Sequence, residues 1–192
     1  MQPLRESIIQ AAVTEIGYKG LKFSIRDVTA RLGISTKTLY QHFPSKDALV
    51  SAVIQQSVEE MRAIERQIRE DAALSLRDKL RQSLVVLPGG MGFKDLRMLD
   101  ELRIGYPEAW QYADRYVRDG WDGIRLLVEE GLQSGEIKPF NFEIFVQMYV
   151  GSLYQLTEYV SASQYDGLSF QEALNGIVDI LLGGITKTAE QE

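Results

Sequence analysis

The sequence predicts an all-α protein of about nine helices. Apolar residues recur at intervals of three and four along most of the chain, which is the period of an amphipathic helix. No segment of useful length alternates with the two-residue period of a β-strand, and there is no internal repeat or low-complexity tract. A chain of 192 residues can bury a complete core, as one domain or as a small domain followed by a larger one.

Composition argues against several classes of function. With no cysteine and one histidine, the chain has no disulfide, thiolate site or cysteine nucleophile, and we predict no metal site and no cofactor. It lacks an 18-residue apolar run and a signal-peptide layout, so we expect no membrane association and a cytoplasmic location. A nucleophile elbow, a phosphate loop and metal-ligand spacing are also missing, so we predict no enzyme activity and no catalytic residue.

Charge is distributed unevenly along the chain. The net charge is −6, but residues 1–50 hold seven Lys and Arg against four Asp and Glu, a net of +3, and residues 51–192 have a net of −9. A basic N-terminal segment on an acidic body is typical of a protein that meets phosphates with one end only.

The first predicted helix covers residues 3–19. Pro3 suits its opening turn, and Gly17 and Gly20 end it. Apolar residues at helical spacing form its buried stripe: Ile8, Ile9, Ala12, Val13 and Ile16.

Two short helices joined by a tight turn follow. Ser24 is expected to cap the first, with Asp27 as the acid of a capping box, and Gly33 ends it in a left-handed conformation. Ser35 is expected to cap the second, at residues 36–42. Two short helices joined through a glycine-containing turn form a helix-turn-helix, whose second helix enters the major groove of DNA.

The second short helix displays small hydroxyls, one Lys and one Gln, which are residue types that reach base edges and phosphates. Thr38 and Gln41 suit either a base edge or a phosphate, as does Arg26 on the preceding helix. Ser35 is a candidate contact, although capping is its favoured role. His42 has no neighbouring His, Cys or carboxylate cluster that would make it a metal ligand or a general base. The candidate DNA contacts from the residue types are Arg26, Ser35, Thr36, Lys37, Thr38 and Gln41.

Residues 34–49 resemble the signature of the TetR family of bacterial transcriptional regulators. The specific part is the run Leu-Tyr-x-His-Phe-x-x-Lys that begins at Leu39. Strong similarity covers about the first 55 residues, and the remainder matches only in length and helical pattern. The resemblance implies that Tyr40, His42 and Lys46 contact the DNA backbone. It also implies that the start of the first helix, where Arg5 is the nearest basic side chain, approaches a phosphate.

Residues 46–70 are predicted to form one long helix, capped by Ser45 after Pro44. This helix connects a DNA-binding domain at residues 1–50 to a helical ligand-binding and dimerisation domain at residues 51–192. Five further helices are predicted in that second domain, at 74–87, 93–104, 107–133, 141–162 and 169–186. The glycine-rich segment 88–92 is predicted to be a surface loop, with a hinge or lid as the alternative.

Thirteen of the eighteen aromatic residues lie between positions 93 and 165. Wide aromatic faces with a few polar tips are typical of a largely apolar ligand cavity, and a solid core of bulky residues is the alternative. The candidate lining residues are Met98, Leu102, Trp110, Tyr116, Trp121, Tyr149 and Tyr154. The nearby charged residues Arg97, Asp100, Glu101 and Arg103 pair with each other or hold the charged end of a ligand.

The last two helices carry apolar stripes wide enough to cover both the protomer's own core and a partner. A single helix-turn-helix contacts few base pairs, so DNA binding also requires a dimer. The resemblance implies that these helices pair across a two-fold axis as a four-helix bundle. The candidate interface residues are Phe145, Tyr149, Leu153, Leu156, Leu174, Ile177, Val178, Leu181 and Ile185.

These observations predict a homodimeric, ligand-responsive and sequence-specific regulator of transcription. The expected mode is a repressor that a small, largely apolar or aromatic effector releases from a palindromic operator in double-stranded DNA. Ligand binding would favour a state in which the two DNA-binding ends are wrongly spaced. A constitutive or architectural DNA-binding protein without a ligand is the alternative.

Overall fold

The computed structural model describes residues 3–87, 97–160 and 169–186. Within these ranges all regular elements are helices, apart from one isolated β-bridge between Ile137 and Thr186, so the all-α class is confirmed. The segment 88–92, the predicted helix start at 93–96 and the loop 163–167 lie outside the described residues. The elements are α1 (Leu4–Lys19), a 3₁₀ turn (Gly20–Lys22), α2 (Ile25–Leu32), α3 (Thr36–His42), α4 (Lys46–Glu70), α5 (Leu76–Leu84), α6 (Arg97–Gly105), α7 (Pro107–Asp119), α8 (Asp122–Ser134), α9 (Phe142–Val160) and α10 (Phe170–Ile185).

The prediction of a single helix at 107–133 is wrong, because the helical backbone is interrupted between α7 and α8. Trp121 lies at the break, and its indole Nε1 donates to the carbonyl of Val117 at 3.0 Å. The carbonyl of Trp121 accepts the N–H of Arg125 at 2.9 Å as α8 begins. One residue therefore closes the end of α7 and opens α8.

The described residues divide into two compact units. Unit 1 comprises residues 3–60 and 97–116, and unit 2 comprises residues 61–87, 117–160 and 169–186. This division differs from the predicted domains at 1–50 and 51–192, although both cut through α4. Helix α6 and most of α7 belong to unit 1 with the N-terminal helices.

The core of unit 1 is assembled from α1 to α4 together with α6 and α7. Phe23, Leu39 and Leu49 are at most 1% exposed, and Leu102 of α6 and Ala109 of α7 join the same apolar cluster. Burial of these side chains fixes the helix-turn-helix against α1 and α4. The α6–α7 segment completes this core through Leu102 and Ala109, which are therefore committed to unit 1.

The core of unit 2 is formed by α5, α8, α9 and α10. Leu80, Leu174 and Leu182 are each 1% exposed, and Val178 is fully buried. The turn after α8 closes one end of this core, because the N–H of Lys138 donates to the carbonyl of Ile185 at 2.7 Å.

Candidate nucleic-acid interface

The turn between α2 and α3 has the geometry expected of a helix-turn-helix. Gly33 adopts φ 65° and ψ 29°, a left-handed conformation that other residues adopt only with strain. The N–H of Ile34 returns to the carbonyl of Thr29 at 3.1 Å. The Ser35 hydroxyl then accepts the N–H of Thr38 at 3.0 Å and caps α3. The predicted stop at Gly33 and the predicted cap at Ser35 are confirmed.

The start of α2 is fixed by the predicted capping box. The N–H of Ser24 donates to Oδ2 of Asp27 at 2.7 Å, and the N–H of Asp27 donates to the Ser24 hydroxyl at 3.2 Å. These two bonds satisfy N–H groups that an uncapped helix start leaves without partners.

A network of charges joins α1 to α2. Glu15 is 5% exposed, and its carboxylate accepts from Nε of Arg31 at 2.8 Å. Lys19 lies 3.4 Å from Glu15 and 2.7 Å from Asp27. The Lys19 ammonium, with the N–H and hydroxyl of Ser24, lowers the pKa of Asp27 to about 2. The same pairing raises the pKa of Lys19.

Helix α3 turns one face inward and leaves the other free. Leu39 is fully buried and Phe43, directly after the helix, is 2% exposed. Thr38 is half-buried, and its hydroxyl lies 2.8 Å from that of Ser35. The remaining predicted contacts are exposed on α2, on α3 and in the turn between them: Arg26, Ser35, Thr36, Lys37, Tyr40, Gln41 and His42.

Two basic side chains beside α3 are held by aromatic rings. The guanidinium of Arg5 lies 5.0 Å from the ring centroid of Phe43, at the end of α3. Lys46 differs from the other predicted contacts, because its ammonium is turned into unit 1. It donates to the carbonyl of Leu21 at 2.5 Å and lies 4.5 Å from the ring centroid of Phe23.

The predicted lining residues of a ligand cavity fall into both units. Met98, Leu102 and Trp110 pack against the core of unit 1. Tyr116 is a half-buried residue of the same unit, and Tyr154 belongs to unit 2, where the guanidinium of Arg118 lies 5.2 Å from its ring centroid.

Trp121 and Tyr149 form the centre of an aromatic cluster in unit 2. Their ring centroids are 5.2 Å apart in an edge-to-face arrangement. The Tyr149 hydroxyl donates to the carbonyl of Leu84 at 2.6 Å, and burial raises its pKa. Since the Trp121 indole N–H is also bonded within the chain, both polar tips are already satisfied. Sequence reasoning treated these tips as ligand donors.

Three of the charged residues beside the predicted cavity form ion pairs within unit 1. Arg103 donates to Asp100 at 3.1 Å, a pair of the kind that the first predicted alternative describes. Glu101 lies 3.6 Å from Lys22 of the 3₁₀ turn, which is outside the predicted set.

The predicted interface residues lie mostly inside unit 2. Phe145, Leu156, Leu174, Val178, Leu181 and Ile185 are at most 9% exposed, and Tyr149, Leu153 and Ile177 are half-buried. Within the protomer these side chains pack the core. They leave a different set of apolar side chains exposed on the same two helices.

That exposed set was missed by sequence reasoning. Ile144 and Met148 of α9 are 58% and 55% exposed, and Ile180 of α10 is 77% exposed. Glycines of the same helices have no heavy atom within 4 Å of the position of an added Cβ: Gly151, Gly176, Gly183 and Gly184. The available signal was their spacing, since 144, 148 and 151 share one helical face.

A helix-turn-helix with an exposed polar second helix defines a class of DNA-binding proteins. A family model described as bacterial regulatory proteins, tetR family, matches residues 8–53, which run from α1 into α4. The chain is also 37% identical over 179 residues to the uncharacterized HTH-type transcriptional regulator YvaF of Bacillus subtilis (strain 168). That match covers 92% of this chain and 93% of the relative. The chain therefore belongs to the TetR family of bacterial transcriptional regulators.

Solved structures share the fold over nearly the whole chain. A TetR/AcrR family regulator from Thermobifida fusca YX-ER1 superimposes with a TM-score of 0.68 at 21% identity, covering 94% of this chain and 97% of that one. FadR from Bacillus subtilis, in complex with stearoyl-CoA, gives a TM-score of 0.62 at 21% identity, covering 94% and 98%.

The described ranges contain no group of three or more His, Cys, Asp or Glu side chains placed to hold a metal ion. None of their helices is long and apolar enough to cross a membrane.

Proposed function

We propose that this chain is a homodimeric repressor that binds a palindromic operator and is released from it by a small, largely apolar effector. The observation that carries the proposal is the exposed polar face of α3 over the buried Leu39. Helix α3 is held from behind by core packing and at its start by the Ser35 cap. Its outer side chains are therefore presented on a rigid support, as base contacts require.

Roles on this face follow from side-chain chemistry. Lys37, Gln41 and Thr36 present donors and acceptors that suit base edges. Tyr40 and His42 contact the phosphate backbone, as does Arg26 at the outer face of α2. Thr38 is half-buried and its hydroxyl already bonds to that of Ser35, so we assign Ser35 as a cap and Thr38 as a weaker contact.

The dimer uses the exposed face of α9 and α10. A second copy suits this face because operator binding needs two helix-turn-helix units about 34 Å apart. The open space over the glycines would let helix backbones approach closely. The buried residues first predicted for the interface support this face from beneath, with the half-buried Ile177 and Leu153 at its edge.

The effector is inferred from the aromatic content and from the fold. Stearoyl-CoA bound to FadR supports the view that this fold accepts a ligand with a long apolar part. A DNA-binding protein without effector is the second candidate, because the polar tips of Trp121 and Tyr149 are bonded within the chain. Titration of apolar ligand classes against tryptophan fluorescence, followed by operator release, distinguishes the two.

The DNA-binding proposal is tested with DNA from around the gene itself. Native protein is expected to bind it specifically, with an affinity that falls steeply as salt is added. Gln41→Ala should weaken specific binding by about 1–3 kcal/mol and change non-specific binding little. Tyr40→Ala should weaken both to a similar extent and leave the salt dependence near native, because a neutral hydroxyl neutralises no phosphate charge.

Gln10→Ala is the matched control, since Gln10 is an exposed glutamine of α1, outside α2 and α3. Equal losses of specific binding in Gln10→Ala and Gln41→Ala would contradict the assignment of α3 as the base-contacting helix.

A further inference from the structure

Lys46 occupies an enclosed site at the start of α4. Its Nζ donates to the carbonyl of Leu21 at 2.5 Å. The ring centroids of Phe23 and Tyr106 lie 4.5 Å and 5.6 Å from the same nitrogen. We call this carbonyl and these two rings the Lys46 cage.

The cage gives the ammonium favourable partners inside unit 1. Aromatic faces attract a cation through the ring quadrupole, and the interaction strengthens as water is excluded. Phe23 is 1% exposed and Leu21 is 5% exposed, so the carbonyl and one ring belong to the core. Lys46 is the closer of two donors to the Leu21 carbonyl, at 2.5 Å against 3.5 Å for the Tyr106 hydroxyl. Lys46 is therefore bound within the protein, whereas Lys37 on α3 is exposed.

The third part of the cage comes from a distant part of the chain. Tyr106 lies at the corner between α6 and α7, and its hydroxyl is 3.5 Å from the Leu21 carbonyl, the long limit of a hydrogen bond. Of these two contacts of Tyr106, the one between its ring and the Lys46 ammonium is the stronger. Lys22 of the 3₁₀ turn also lies 3.6 Å from Glu101 of α6, but this ion pair is exposed to solvent and contributes little to holding the two elements together.

The cage lies next to both ends of the helix-turn-helix. Phe23 immediately precedes Ser24, the cap of α2, and Lys46 follows the end of α3 by four residues. A displacement of Tyr106 changes the surroundings of the Leu21 carbonyl and of the Lys46 ammonium together. Either change acts on the position of α2 and α3.

We propose that Lys46 is a positioning residue that couples the α6–α7 corner to α2 and α3, instead of a ligand of DNA phosphate. The inference rests on the proposed DNA-binding function. It departs from the role that the sequence resemblance implies for Lys46. Tyr106 is its partner in this coupling.

The test compares two substitutions that remove different parts of the cage. Lys46→Met keeps the aliphatic stem and removes the ammonium, and Tyr106→Leu removes the ring. Tyr106→Phe keeps the ring and should stay near the native protein. Lys22→Met is the matched control, since it removes one positive charge from the 3₁₀ turn next to the cage, where Lys22 is 83% exposed.

The first readout is amide hydrogen exchange of the free protein. Lys46→Met and Tyr106→Leu are expected to speed exchange at the same amides of α2 and α3, with Lys22→Met close to native. This readout does not depend on DNA. If exchange in α2 and α3 is unchanged in both variants, the coupling does not exist and the inference is wrong, whatever the protein binds.

The second readout is operator affinity across a salt series. Both cage variants should lose about tenfold in specific affinity, and the double variant should be no weaker than the weaker single variant. The slope of log affinity against log salt should stay native, because no phosphate contact is lost. A slope reduced by about 0.9 in Lys46→Met, with Tyr106→Leu native, would identify Lys46 as a phosphate ligand and overturn the inference.

Failure of the proposed function looks different. If the native protein shows no specific affinity for any DNA, the proposal that it is a transcriptional repressor is wrong. The exchange experiment would still decide whether Lys46 and Tyr106 couple the corner to α2 and α3.

Discussion

At the scale of single residues, Asp27 connects local structure to the charge available for DNA. Its carboxylate closes the capping box of α2 and also pairs with Lys19 of α1 at 2.7 Å. Arg31 is likewise paired, with the buried Glu15. These two cations fix α1 to α2. The exposed basic side chains that remain on α2 and α3 are Arg26 and Lys37, for which we propose contacts with a phosphate and with a base edge, respectively.

The titration of Asp27 provides the first prediction. Folding lowers this pKa from 3.8 to about 2, so the carboxylate stabilises the folded state above pH 3.8 and the stabilisation is lost as pH falls towards 2. Lys19→Met should raise the pKa, since the Lys19 ammonium is the largest cause of the shift. Carboxyl carbon chemical shifts measured across this pH range report it.

Lys22→Met serves as the control, because Lys22 pairs with Glu101 and not with Asp27. A midpoint for Asp27 that is the same in Lys19→Met as in the native protein would show that the Lys19 contact does not cause the shift.

At the scale of elements, the turn after α8 depends on a close approach at Gly131. A Cβ at this position would lie 2.6 Å from both Cγ1 of Ile137 and Cδ2 of Leu76. Ile137 and Leu76 are 2% and 8% exposed, so they have little room to move. Glycine thus allows the turn to pack onto α8 and α5.

Gly131→Ala is therefore expected to destabilise the protein by about 1–3 kcal/mol, through overpacking of a filled core. Gly105→Ala is the control, since an added Cβ there has no heavy atom within 4 Å. Urea unfolding compares the two. Equal midpoints for both variants would mean that the core around Ile137 adapts without cost.

Elements were predictable from the sequence where a local signal marks them. Ser24, Gly33 and Ser35 place helix ends because capping involves neighbours three or four residues away. The break at Trp121 was missed because apolar spacing continues across it. The cage around Lys46 could not be predicted, since Tyr106 is sixty positions away and only the fold brings it close.

The candidate interface shows the same limit. Periodicity identifies the apolar stripes of α9 and α10, but it does not tell which side faces the protomer's own core. The regular spacing of Val178, Leu181 and Ile185 marks a stripe that the structure buries. Ile180 fits the same apolar periodicity but is 77% exposed. Only the packing of α10 against α5 and α9 shows which side of the helix is exposed.

At the scale of the whole molecule, the proposed operator binding requires two copies of the chain. One helix-turn-helix contacts few base pairs, and the affinity of a regulator comes from two half-sites bound together. We propose that the exposed apolar side chains of α9 and α10 contact the second copy, since their exposure in a lone protomer would be unfavourable.

Ile180→Asp is expected to shift the protein from dimer to monomer, because it places a charge at the centre of the proposed interface. Leu126→Asp is the control, since Leu126 is an α8 side chain that is 56% exposed in the same unit. Sedimentation velocity at several concentrations measures both. A native dimer that persists equally in the two variants would place the interface elsewhere.

Sequence-specific operator binding is tested most directly by selecting bound sequences from a pool of random double-stranded DNA. We expect enrichment of an inverted repeat whose half-sites are centred about one helical turn apart, and loss of that enrichment in Gln41→Ala. A pool that stays random after repeated rounds with dimeric native protein would contradict sequence-specific operator binding by α3.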